Sequence, residues 1–253
     1  MEAKFTPPTL GSETIFHLGV FEVRNTLIAS FMAIFVLLVI GLILRKQKYA
    51  LVPSGFQSVV EMVIGGFYDF FGNIVHGEKK LDKIFPIAMT IFLFVIVSNW
   101  MGLLPGFGSI GFFEEHHGHT VLVPFFRSTF ADVNMTLALA LISISSIQVL
   151  SISFLGAKTY LGKFFVNPLK NPVGTFIGLL ELLSEVSKMI SFSFRLYGNL
   201  FAGEVLLLVI SFLVPFIAPL PFYGLEVFVG FVQALVFSFL TIVFFSIASS
   251  EHH

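Results

Sequence analysis

Long apolar runs separated by short polar or basic segments set the layout of this chain. A helix needs about 20 mostly apolar residues to cross the hydrocarbon core of a bilayer. The run "NTLIASFMAIFVLLVIGLIL" fills 25–44 and stops at the basic Arg45, Lys46 and Lys48. A second run, 84–104, carries Asn99 and Trp100 near its end, where an interfacial Trp is expected. A third covers 132–155, and a fourth, 172–213, is too long for one upright span and predicts a strongly tilted helix. Pro215, Pro219, Pro221 and Gly224 then predict a turn, after which the last helix runs over 225–249. Between the first two spans, at 53–77, Gln57, Glu61, Asp69, Asn73 and His76 fall within an arc of about 160° on a helical wheel. That pattern predicts an amphipathic helix lying on the membrane surface. The whole reads as an all-α polytopic membrane protein, one membrane domain over 1–253. It has five membrane-embedded helices, one interfacial helix and a long tilted helical hairpin at the C-terminal end. No internal repeat is visible, which argues against the inverted-repeat transporters.

Composition agrees with a life in lipid. Hydrophobic residues make up 56% of the chain and charged ones 11%, against about 25% charged in soluble domains. A net charge of −1 leaves no global field to gather nucleic acid. The absence of Cys excludes disulfides, thiolate catalysis and Cys-based metal sites. The opening "MEAKFTPPTLGSE" lacks a basic stretch followed by an apolar core, so the first span is expected to serve as its own insertion signal.

Charge changes the picture by giving it a direction. Arg45, Lys46, Lys48, Lys79, Lys80 and Lys83 cluster between the first two spans, and Lys158, Lys163 and Lys170 follow the third. Both groups are expected inside. The segment 1–24 has only Lys4 and Arg24, and the loop 105–128 has Arg127 against Glu114 and Glu115, so both are expected outside. Five crossings then put the N-terminus outside and the C-terminus inside.

The candidate chemistry lies on the fourth run. Glu181, Glu185, Lys188, Arg195 and Asn199 fall within about 40° either side of the direction of Glu181 on an ideal helix, forming one stripe. Glu185 and Lys188 can be read simply as an i, i+3 ion pair. Arg195 cannot be read as an end residue reaching for the interface, because apolar sequence extends more than two turns beyond it. A charge at the bilayer centre costs a few kcal/mol, about 2.5 to 3.5 for Arg on the most forgiving scale, so Arg195 points to function. Reversal near Val214 and Pro215 would set Arg195 opposite Gln233 and Glu204 opposite Glu226, with Glu226 and Gln233 sharing a helix face. Two close carboxylates rarely both ionise, so that pair is expected to hold one proton between them.

The stretch "FSFRLYGNLFAGE" resembles the signature of the a-subunit family of F-type ATP synthases, the stationary proton-conducting partner of a rotating c-ring. The third-span "ADVNMTLALA", Glu181 and the closing "GFVQALVFSFLTIVFFSIASSEHH" resemble the same family in the same order and spacing. The resemblance implies that Arg195 faces the rotor carboxylate and that Asn199, Glu204, Glu226 and Gln233 line proton access paths. The position of Glu226 is His in some members. It also implies the c-ring, the peripheral-stalk b subunits, the rest of the synthase and the bilayer as partners. Neither a cofactor nor catalysis by the chain itself is expected, and the bacterial inner membrane is the expected location.

Residue chemistry fits those roles. Arg is not deprotonated in proteins, so Arg195 can be only a permanent positive charge that favours the ionised form of a passing carboxylate. Glu181, Glu185, Glu204 and Glu226 can exchange protons with trapped water and are relay candidates, Glu181 and Glu185 toward the inside. Asp132 can line the outer path or cap the third helix. His116, His117 and His119 can bind a metal, but a solvated loop is the expected reading. The absence of a Gly-rich phosphate loop or a nucleophile triad assigns nucleotide chemistry to partners. A secondary ion-coupled transporter and a scaffold with internally paired charges are the competing readings, and H⁺ and Na⁺ both remain open as the coupling ion.

Overall fold

A computed structural model describes residues 12–18, 21–46, 55–75, 77–104, 107, 110–116, 119–165, 171–214 and 217–250. His76, His117, Lys48, Lys170, Pro215 and the terminal 251–253 lie outside the described residues, as do the side chains of His116 and His119. The protein is an all-α polytopic membrane protein. Among the described residues five helices are long and apolar enough to cross a membrane. These are α1 (Asn25–Lys46), α3 (Glu78–Gly102), α4 (Val133–Leu155), α6 (Pro172–Leu213) and α7 (Pro219–Ala248). The shorter α2 (Phe56–Gly72) and α5 (Ala157–Phe164) complete the helical set, and a 3-10 turn, Thr129–Ala131, precedes α4.

Local chemistry sets the helix ends. Asn25 opens α1, its Oδ1 accepting from the Thr26 amide at 3.0 Å, and Arg45 and Lys46 close it where cations favour the carbonyl end. Asp132 caps α4, its Oδ1 accepting from the Asn134 amide at 2.9 Å. Helix α7 begins at Pro219, earlier than the 225 expected from the Pro-rich stretch. A proline in a first helical turn costs little, because its missing N–H would have no intrahelical partner there. With 42 residues in α6 and a rise of 1.5 Å each, the helix is about 63 Å long. That is twice the ~30 Å hydrocarbon thickness, so α6 must lean or project.

Two hairpins escape the apolar pattern. Strands β1 (Thr14–Leu18) and β2 (Phe21–Arg24) pair antiparallel, as do β3 (Gly111–His116) and β4 (His119–Pro124). Gly111 is required at the second: a Cβ there would sit 2.0 Å from the Val123 carbonyl oxygen.

The chain falls into two compact units, the first built from Met1–Ile40, Leu93–Leu139 and Phe192–Leu235. Within it the Asn99 amide donates to the Gly230 carbonyl at 3.1 Å and the Trp100 indole to the Val227 carbonyl at 3.1 Å. Asn99 and Trp100 thereby fix the end of α3 against α7. Such polar links matter between membrane helices, where lipid tails remove the hydrophobic drive for association. The second unit comprises Gly41–Phe92, Ala140–Ser191 and Val236–His253. Its core gathers Phe71, Val75, Leu81, Ile84, Ala88, Ile147, Ile242 and Phe245. Ser143 and Thr241 share a hydrogen bond of 2.9 Å, and Ser238 donates to the Ala88 carbonyl at 2.8 Å. Lys80 and Lys163 donate to the carbonyls of Ser249 and Ala248 at 2.8 and 3.2 Å, satisfying the C-terminal end of α7.

Candidate functional site

On α6 the sequence from 192 onward presents two contrasting faces. Phe192, Ser193, Leu196, Leu200 and Gly203 are buried, whereas Phe194, Arg195, Gly198, Asn199 and Ala202 are exposed. The buried positions recur at helical spacing and make the packing seam, to which Thr136 of α4 contributes a 2.9 Å hydrogen bond with Ser193. The opposite stripe holds the small residues Gly198 and Ala202, and Arg195 stands in it. Arg195 makes no hydrogen bond or ion pair with any other described residue.

One turn further on, the Asn199 amide donates to Gln233 Oε1 at 2.7 Å. Gln233 is 4% exposed, and its Nε2 has no partner among the described residues. Gln233 therefore pairs with Asn199, not with Arg195. Glu226 is 5% exposed and lies against the backbone of Gly203: a Cβ at that glycine would fall 1.5 Å from its Oε1. Glu204 and Glu226 lie within electrostatic reach of one another. Glu204 also meets a residue to which the sequence assigned no role. Arg127, its side chain 11% exposed, approaches the Glu204 carboxylate at 3.4 Å.

Asp132 is buried in a polar knot. Besides capping α4, it accepts from Ser12 and from Thr26 at 3.2 Å, and its Oδ2 lies 3.7 Å from the Arg24 guanidinium. Glu22, Arg24, Thr26, Asp132 and Asn134 line a cavity of about 350 Å³. Asp132 thus serves as helix cap and as cavity wall together.

In the second unit, Glu185 and Lys188 form the i, i+3 pair at 2.6 Å, and the Lys188 ammonium sits 5.0 Å from the centre of the Phe244 ring. Gln148 of α4 donates to the other oxygen of Glu185 at 2.8 Å, and the Tyr160 hydroxyl of α5 donates to Gln148 Oε1. Burial, aided by the charges of Glu185 and Glu181, pushes the Tyr160 phenol up to about 12. It stays protonated at any working pH and acts as a hydrogen-bonding group only. Glu181 is half-buried one turn before Glu185. No group of three His, Asp or Glu side chains placed to hold a metal occurs among the described residues.

Arg127, Gln148 and Tyr160 are the site residues that sequence reasoning passed over. Arg127 left one signal, being the single basic residue of an otherwise acidic segment. Gln148 and Tyr160 left none, because their importance comes only from tertiary contact with Glu185.

Comparison with known proteins places this arrangement. The family profile described as ATP synthase A chain matches residues 27–246. The ATP synthase subunit a of Desulfotalea psychrophila is 36% identical over 222 residues, covering 85% of this chain and 83% of the relative. That of Moorella thermoacetica is 30% identical over 230 residues, covering 91% and 93%. That of Syntrophobacter fumaroxidans is 31% identical over 250 residues, covering 96% and 92%. With its spans, its stripe on α6 and these relatives, the chain belongs to the ATP synthase A chain family.

Proposed function

We propose that the chain is the stator a subunit in the membrane sector of an F-type ATP synthase, itself non-catalytic, which conducts protons to and from a rotating c-ring. One observation carries the reading: Arg195 is exposed and unpaired among the described residues on a face of an apolar helix that also holds Gly198 and Ala202. A permanent charge so placed demands a counter-charge from another chain. A rotor carboxylate supplies it, loses its proton as it passes, and the same charge blocks direct leakage of cations. Asp132, Glu204, Glu226, Asn199 and Gln233 form the outer half-channel, and Glu181 and Glu185 the inner one. The two are offset, so a proton crosses only by riding the rotor. Each proton driven through the full potential gains about 2.3 kcal/mol per 100 mV.

The c-ring, the b subunits of the peripheral stalk and the bilayer are the partners, in a bacterial inner membrane with the N-terminus outside and the C-terminus inside. The test is ATP synthesis and proton pumping by the whole complex in vesicles. Arg195→Ala abolishes coupling, and Arg195→Lys fails to restore it, because a compact ammonium can lose its proton when desolvated and lacks the planar fork of donors. Normal ion-driven synthesis by Arg195→Lys refutes the fixed-charge role.

A further inference from the structure

The helix α5 reaches Glu185 through an intermediary. Tyr160, 3% exposed, donates to Gln148, and Gln148 donates to Glu185 Oε2 at 2.8 Å, while Lys188 holds Oε1 at 2.6 Å. The same short helix is anchored independently. Lys163 donates to the carbonyls of Ala248 and Ser250 at 3.2 and 3.3 Å, and a Cβ on Gly178 would meet the Phe164 carbonyl oxygen at 2.5 Å. Tyr160 therefore cannot drift from its position without unseating α5 from α6 and from the end of α7.

We propose that Gln148 and Tyr160 are positioning residues of the inner proton path, Tyr160 fixing the direction of the Gln148 amide and the amide turning over as Glu185 gains and loses its proton. The reasoning is a donor and acceptor count. An ionised carboxylate only accepts, so both of its oxygens are matched by the Gln148 N–H and the Lys188 ammonium. A proton arriving on Oε2 makes that oxygen a donor facing a donor. The amide must then rotate by about half a turn. Its carbonyl now accepts from Glu185, its N–H donates to the Tyr160 oxygen, and the hydroxyl hydrogen of Tyr160 swings aside, away from its buried acceptor. No bond other than the O–H of Glu185 is made, and when the proton leaves toward water the three groups return. Tyr160 thus biases the trio toward the ionised arrangement and hastens release. The groups that face Glu185 are Lys188 on its own helix, Gln148 from α4 and Tyr160 from α5, with Glu181 one turn away and Phe244 of α7 beneath the ammonium.

The inference rests on Glu185 belonging to the proton path, and the experiment separates the two. The assembled complex is reconstituted in vesicles, and proton flux per complex is followed while the pH on the α5 side and on the opposite side are varied separately. Tyr160→Phe keeps the ring and its packing but removes the donor. The half-maximal pH on the α5 side should move about half a unit to one unit to the alkaline side, with no movement on the other side. Gln148→Leu should move it the same way and slow flux about threefold to tenfold, the energy of about one hydrogen bond. Tyr160→Phe added to Gln148→Leu should add nothing, since Tyr160 acts only through the amide. Unmoved pH profiles, equal movement on both sides, or independent addition of the two effects overturns the proposal. A loss confined to the amount of assembled complex does so too, because it leaves the residues merely structural. ATP-driven pumping that persists after Arg195→Ala sinks the functional reading instead, whereas passive leakage through that variant is what loss of the blocking charge gives.

Discussion

The Arg127 to Glu204 contact sets structure and proton relay against each other, and two substitutions can separate them. The guanidinium and carboxylate lie 3.4 Å apart with side-chain exposures of 11% and 29%. At an effective dielectric constant of about 20 their attraction is about 5 kcal/mol, most of it offset by the cost of taking both from water. Removing one partner of a fully buried pair costs about 3–5 kcal/mol, because the other is left uncompensated. Glu204 keeps some access to solvent, so Glu204→Gln and Arg127→Gln are each expected to cost about 2–3 kcal/mol, a factor of about 30 to 150 in the folded equilibrium. The double variant leaves no stranded charge and should recover about 2 kcal/mol of the summed loss. Heating the solubilised complex and measuring retention of this chain with its partners reads the first quantity. Proton pumping per retained complex reads the second. Assembly should recover in the double variant while pumping stays severely reduced, since Gln at 204 cannot titrate. Strictly additive stability losses refute the pair as a structural unit, and full recovery of pumping refutes Glu204 as a relay.

Three further outcomes follow from the geometry. Gly203→Ala places a methyl group where the Glu226 carboxylate now lies, 1.5 Å from Oε1; displacing that flexible group should cost about 1–3 kcal/mol and slow pumping per complex, whereas unchanged pumping means that the position of Glu226 is unimportant. Tyr160, raised from 10.0 to about 12, is protonated in the folded chain after the unfolded chain has begun to ionise, so its contribution to stability is intact below pH 10 and lost as pH rises toward 12; Tyr160→Phe should flatten that part of an alkaline melting curve, and an unaltered curve contradicts the assigned burial. The chain has no Cys, so single Cys residues at the exposed His17 and Lys158 should be labelled from outside and inside respectively, and the reverse result inverts the topology.

The membrane spans were legible because desolvation of backbone is so costly that a crossing helix must be long and apolar, and composition alone records that. The unpaired charge was legible for the same reason: Arg195 stands out only against its apolar flanks. Tertiary register was less so. Counting symmetrically from a tight reversal at Val214 and Pro215 sets Arg195 opposite Gln233. In the structure Asn199, one turn beyond Arg195, donates to Gln233 Oε1, while Glu204 and Glu226 lie within electrostatic reach as that count expects. The hairpins went unread because GFFEEH and HTVLVP do not alternate, and TIFHL and FEVR are at the short limit of a strand signal. Arg127, Gln148 and Tyr160 are ordinary polar residues in the one-dimensional pattern and acquire meaning only from what folds against them.

Arg127 and Arg195, both of the first unit, show why pairing matters more than charge. Arg127 and Arg195 carry the same permanent charge, and both belong to surroundings dominated by apolar side chains. Arg127 meets a carboxylate of its own chain, so its field is largely cancelled at a distance. Arg195, exposed and without a partner among the described residues, keeps its field for whatever passes. Its neighbours Gly198 and Ala202 would let a partner helix approach closely, as small residues do between membrane helices. Pairing Arg195 internally should therefore be more harmful than a loss of stability would explain. Gly198→Glu, three residues on along the same face and with open space around a Cβ there, offers such a partner: the complex should assemble and bind nucleotide normally yet lose ion-driven synthesis. Synthesis at the normal rate in that variant would mean that the open charge of Arg195 is not what couples the chain to its partner.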